Sequence, residues 1–188
     1  MEPASRWDIP QEGTQESYDV EILEQRLRFP YGSNLIAPNR IMKSAMSEQL
    51  ATYDKNNMMK SGIPTQEIIN LYEKFAEGGF GIIVTGCIMI NGKDIEAPGN
   101  VIIDKELDST ERRTAFQEWT KCTKRNGSIV VAQLFHPGNC AADLPHKTDF
   151  DINNLTRKQI ADMISDYAYA ASYSQKRGKS LFFGKREF

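Results

Sequence analysis

The chain has little of what would mark it for work on a metal, a membrane or a nucleic acid. Its 188 residues hold only three cysteines, Cys87, Cys122 and Cys140, and two histidines, His136 and His146. No two cysteines form a CxxC pair and their number is odd, which suits incidental thiols in a reducing compartment rather than a disulfide framework. A zinc site would have to gather Cys140 and both histidines, and no metal is expected. No apolar run approaches the ~20 residues of a membrane span. The start, MEPASRWDIPQEG, has neither the apolar core of a secretion signal nor the arginines of a transit peptide. The expectation is a cytoplasmic chain with no membrane partner. Blocks of like charge are missing, and 23 basic against 25 acidic residues give a net charge of −2. Basic residues scattered in this way leave no electrostatic footprint for nucleic acid.

What is present is an ordinary globular composition, 40% hydrophobic and 26% charged, enough for one domain with a real core. Residues 1–24 are polar, aperiodic and read as a flexible leader. LRFPYGSNL, Leu27–Leu35, suits a short hairpin. Three strand-like segments follow: Asn39–Ser47, Phe80–Gly86 and Ser128–His136. Helical patterns separate them. Thr65 caps the first helix, in which Ile68, Leu71, Tyr72 and Phe75 recur at helical spacing until Gly78-Gly79. Asp108 and Glu111 suggest a capping box for the second, which turns Phe116 and Trp119 inward and ends at Asn126-Gly127. Thr156 and Gln159 suggest one for the third, with Ile160, Met163, Ile164, Tyr167 and Ala171 on its inner face and Gly178 as its stop. Two long loops, Glu48–Pro64 and Cys87–Leu107, follow the first two strands. This β-α-β-α-β-α succession predicts an α/β fold with a parallel sheet. Chemistry in such folds lies at the C-terminal ends of strands, here Ser44–Ser47, Thr85–Gly86 and Gln133–His136.

At those ends the sequence resembles the old yellow enzyme family, and within it the branch of NADH:flavin oxidoreductases or NADH oxidases. The resemblance is carried by Asn39-Arg40-Ile41, Ser44-Ala45-Met46-Ser47-Glu48, Leu71-Tyr72, Glu77-Gly78-Gly79 with Gly81, Thr85-Gly86, Pro98-Gly99-Asn100 and Gln133-Leu134-Phe135-His136-Pro137-Gly138. It implies the N-terminal part of a TIM-type (β/α) barrel over residues 25–178, about three βα units with an N-terminal hairpin, followed by a divergent tail, 179–188. It implies FMN as cofactor, NADH or NADPH as reductant, and a small-molecule electron acceptor such as an activated alkene. By the same resemblance Ser44, Ala45, Met46 and Ser47 lie against the flavin, largely through main-chain groups. Gly86 falls where backbone passes close to the ring, and Gln133 where an amide meets the pyrimidine edge. The chemistry agrees: an amide donates and accepts at once, glycine lets backbone approach, and a small hydroxyl such as that of Ser47 can stabilise charge built up on reduction.

Read singly, the same residues have plainer roles. Gln133 is a satisfied strand amide, Ser47 a turn or capping hydroxyl, Gly86 a turn glycine, Met46 packing and His136 a structural hydrogen bonder. The sequence also departs from the family. Asn139 stands after Gly138 where the family usually has Arg, and the ending KSLFFGKREF contains neither the family's substrate-binding His pair nor its proton-donating Tyr. These departures leave the catalytic residues unassigned and predict a truncated form, weak or inactive alone, with at most the beginning of a fourth strand. Two other readings compete: a non-catalytic interaction protein that pairs through an open sheet edge, and a flavodoxin-like nucleotide binder. The latter needs a glycine-rich phosphate loop after the first strand, and SAMSEQ is not one.

Overall fold

Residues 20–29, 35–176 and 181–186 are described by a computed structural model. The leader through residue 19, the hairpin turn at 30–34 and the Gly178 stop lie outside the described residues. The end of the expected leader is a single helical turn, α1 (Glu21–Glu24). The hairpin forms as expected: β1 (Leu27–Arg28) pairs antiparallel with β2 (Ile36–Ala37), Leu27 opposite Ala37.

The first sheet strand, β3 (Met42–Lys43), is shorter than the nine-residue segment predicted from Asn39 to Ser47. Its leading residues are pinned by a side chain instead of a ladder. The Asn39 carbonyl accepts from Ile41 and Gly81 amides at 3.0 and 2.8 Å, while its amide donates to Gly79 O at 2.7 Å. Helix α2 (Gln66–Glu77) starts at Thr65, whose hydroxyl accepts from Ile68 N, and stops at Gly78 before Gly79 takes φ +75°.

Strand β4 (Ile82–Met89) outruns its predicted end at Gly86 by three residues. The cause is a bulge. Val84 pairs with Val131 and Cys87 with Gln133 of β6 (Ile129–His136), so Thr85 and Gly86 together face the single residue Ala132. Within the predicted loop Cys87–Leu107, a two-residue strand β5 (Val101–Ile102) adds to β4 in parallel. Helix α3 (Thr110–Thr123) is capped by Ser109, which accepts from Arg112 N. Asp108, one residue early as a cap, instead pairs with Arg113. Helix α4 (Arg157–Lys176) opens with the expected capping box, Thr156 and Gln159 exchanging backbone and side-chain bonds of 2.9 and 3.2 Å. Of the five residues expected on its inner face, Met163, Tyr167 and Ala171 pack on the core. Met163, Ala170, Tyr173 and Ser174 are buried, whereas Ile160 and Ile164 face outward. Apolar residues stand on both sides of this helix, and the edge-on packing of Tyr173 against Phe116 decides which side turns in.

A fourth long-range strand, β7 (Leu181–Arg186), pairs in parallel with β6. The sheet order is β3-β4-β6-β7, with α2, α3 and α4 as the intervening crossovers. Between sheet and helices lies a core of Ile68, Tyr72, Ile83, Ile88, Phe116 and Trp119, each at most 1% exposed.

Candidate functional site

The bulge of β4 gathers the predicted residues. It frees ladder groups that side chains then satisfy. Gly86 N donates to the Tyr72 hydroxyl at 2.8 Å, Gln133 N to Thr85 Oγ1 at 3.0 Å, and Lys43 Nζ to Val84 O at 3.0 Å. A Cβ on Gly86 would overlap the Met46 carbonyl and the Glu48 carboxylate. The segment after β3 therefore rests directly on the bulge, and the glycine is needed for that close approach. One residue further on, Cys87 lies opposite Gln133 and its thiol donates to Gln133 Oε1 at 3.5 Å. Met46, Gly86 and Gln133 thus form one row across the C-terminal half of the sheet.

Ser44, Met46 and Ser47 are exposed and Ala45 is half-buried. The Ser47 hydroxyl donates to Glu96 Oε2 at 2.9 Å, and Asn100 bonds the same oxygen at 3.3 Å. Ser47 is thereby tied to the loop after β4. The Gln133 amide nitrogen has no hydrogen bond among the described residues and is a donor available to a ligand. A flavin pyrimidine edge offers carbonyl acceptors to such a donor, and the main chain of Ser44–Ser47 carries both donors and acceptors. These groups fit a flavin ring.

Beneath the row is a buried ionic network that sequence reasoning missed. Glu48 Oε1 accepts the Tyr72 hydroxyl at 2.5 Å and lies 3.7 Å from Lys43 Nζ. The Lys43 and Glu48 side chains are 4% and 6% exposed, and Tyr72 is fully buried. The ammonium also stands over the Tyr72 and Phe75 rings, 5.1 and 4.8 Å from their centres. Burial lowers the Lys43 pKa against the pull of Glu48, and burial, then Glu48, holds the Tyr72 phenol well above its usual value. A lysine amid apolar strand residues in IMKSAM was the one local signal of this network.

A cleft of about 440 Å³ lies apart from this row, between the loops after β4 and β6 and the first turns of α4. Two ion pairs lie in it, Lys105 with Asp166 at 3.5 Å and Lys158 with Asp162 at 2.7 Å, and His136 Nε2 stands 4.0 Å from Asp94 Oδ2. Thr148 also bonds Asp94 at 2.7 Å. His136 accepts the Gly138 amide at 3.0 Å. None of the six predicted flavin-facing residues lines this cleft. Among the described residues no group of three or more His, Cys, Asp or Glu is placed to hold a metal, and no helix is long and apolar enough to cross a membrane.

No protein-family model matches the chain. Curated relatives do. The NADH-dependent flavin oxidoreductase nadA of Aspergillus parasiticus is 33% identical over 87% of this chain and 40% of its own length. The NADH-dependent flavin oxidoreductase iliE of Hypocrea jecorina is 26% identical over 55% of this chain and 24% of its own length. The chain thus spans less than half the length of the curated relatives it matches. Among solved structures, the old yellow enzyme of a Pichia species superposes with a TM-score of 0.70 at 16% identity, covering 87% of this chain and 45% of that one. The old yellow enzyme homologue of Zymomonas mobilis gives 0.67 at 22% identity, covering 86% and 47%. These likenesses establish the fold as part of a TIM-type barrel.

Proposed function

We propose that this relative of the NADH-dependent flavin oxidoreductases, built on part of an old yellow enzyme barrel, binds flavin mononucleotide across the ends of β3, β4 and β6 and uses NADH or NADPH to reduce a small-molecule acceptor. The observation that carries this reading is the bulge that brings Met46, Gly86 and Gln133 into one row. Ser44, Ala45, Met46 and Ser47 would hold the ring by main-chain groups, with Gly86 closing the approach. Gln133, steadied at Oε1 by the Cys87 thiol, would turn its amide nitrogen to the pyrimidine edge. The Ser47 hydroxyl, oriented by Glu96, would favour the charge that builds on the ring during reduction. Bound flavin would supply the redox chemistry, hydride transfer from the nicotinamide to an acceptor such as an activated alkene. Fluorescence titration tests the reading. FMN should bind more tightly than FAD, and equal or stronger binding of FAD would count against it.

A second reading, a non-catalytic interaction protein, draws on the sheet's edges. Among the described residues β3 and β7 end the strand order, and Ile41, Met42 and Met46 beside β3 are 43–54% exposed. A mass that grows with concentration in light scattering, from a protein without yellow colour, would favour it.

A further inference from the structure

Three elements meet at Glu48. Lys43 comes from β3, Tyr72 from α2, and the Val84–Gly86 backbone from the bulge of β4. A buried carboxylate is costly unless it is paired and hydrogen-bonded. Here one oxygen takes the Tyr72 hydroxyl and faces the Lys43 ammonium, and the other sits on Gly86. The Tyr72 hydroxyl carries the link onward by accepting the Gly86 amide, and Lys43 by donating to Val84 O. The network therefore clamps the segment after β3 onto the bulge from below, two residues from Met46 and one from Ser47.

We propose that Glu48 is a positioning residue of the flavin site: its carboxylate, held by Lys43 and Tyr72 and seated on Gly86, fixes the Met46–Ser47 main chain in the place from which it meets the ring. The role in flavin binding rests on the reading given above. The fixing of the segment does not, because the contacts that do it are made by the protein alone. Glu48 reaches the ligand through Met46 and Ser47, while Gly86 must stay a glycine for Glu48 to fit.

The test uses the full chain and two variants. Glu48→Gln keeps the shape and an acceptor for Tyr72 but leaves the Lys43 charge without its partner. Lys43→Met combined with Glu48→Gln removes both charges, and such replacements of buried pairs often restore stability. Without flavin, hydrogen exchange at the Gly86 amide, which donates to the Tyr72 hydroxyl, and at the Ala51 amide, which ties the end of the segment to Gly99 O, should quicken about tenfold in both variants while Ile129–Val131 stay protected. With FMN, the dissociation constant read by fluorescence quenching should rise about tenfold. The double variant should regain the wild-type unfolding midpoint without regaining either property. Wild-type exchange and FMN affinity in the double variant would overturn the proposal and leave the network a stabilising role only. If the unaltered chain binds no FMN, the flavin reading falls, and the exchange measurement still decides whether Glu48 fixes the segment.

Discussion

Arg112 illustrates how much one side chain can hold. It is fully buried on α3, and its guanidinium donates to Leu107 O at 2.9 Å, Ile102 O at 3.0 Å and Ser61 O at 2.7 Å. Burial pushes its pKa down, yet an arginine stays charged. The fork thus joins the loop before α2, strand β5 and the entry to α3. Arg112→Met should leave these carbonyls unpaired at a cost of about 3 kcal/mol or more, read as a lower urea midpoint. Arg112→Lys should recover little, because an ammonium cannot span three carbonyls in one plane. Gln133 is the matching test in the site. Gln133→Leu keeps the volume and removes the amide, so FMN affinity should fall by an amount equivalent to about 1–3 kcal/mol, measured by fluorescence titration. Unchanged affinity would leave Gln133 a strand amide held by Cys87. The Arg112 fork was not legible in the sequence, since its partners stand as far as 53 residues apart, and the lysine in IMKSAM signals the Lys43–Glu48–Tyr72 network without naming its partners. The strand ends pointed to Gln133 and Gly86, and only the resemblance gave them a role toward a flavin.

The long elements were read correctly where their ends are written in local chemistry. Thr65, the Gly78-Gly79 stop and the Thr156–Gln159 box are contacts within one turn, and all three form. Thr156→Ala should therefore cost about 1 kcal/mol, visible as a shift in the urea midpoint with α4 fraying at its start. Ser109→Ala should cost about as much. A loss on Asp108→Ala that exceeds it would return the cap of α3 to Asp108. The short elements were not legible. β3 is set by Asn39 reaching across to Gly79 and Gly81, and β5 by its fit between Gly62 and β4. A pair of ladder residues has too little pattern to announce itself. On α4 the core takes Met163, Tyr167 and Ala171 as expected but leaves Ile160 and Ile164 outside, because with apolar residues on two sides periodicity alone cannot say where the inner face ends.

At the scale of the molecule, the α/β order, the hairpin and the parallel sheet followed from the strand–helix alternation, and β7 realises the fourth strand that KSLFFGKREF suggested. The row on the sheet offers groups for a ring edge, and this chain covers under half of each solved relative named above. Turnover also needs an acceptor oriented to the ring, and lost orientation alone removes several orders of magnitude in rate. The purified 188-residue chain is accordingly expected to be colourless or weakly yellow and, with added FMN, to oxidise NADPH no faster than free FMN does. Clear turnover of an enone above that background would show a working site and overturn the expectation.

The extra residue in β4 also acts as a change of phase. Upstream of it, Ile82 to Val84 keep step with Ile129 to Val131; downstream, Cys87 to Met89 keep step with Gln133 to Phe135 only because one residue has been counted twice. Removing either Thr85 or Gly86 would straighten the ladder: Val84 and Cys87 would keep Val131 and Gln133 opposite them, with a single residue left to face Ala132. Either the Gly86 amide would lose its place against the Tyr72 hydroxyl, or Gln133 N would lose its acceptor on Thr85. This stretch is thus fixed in length as firmly as in composition. A variant one residue shorter here would have to surrender either the hydroxyl that takes the Gln133 amide or the glycine against which Met46 and Glu48 rest.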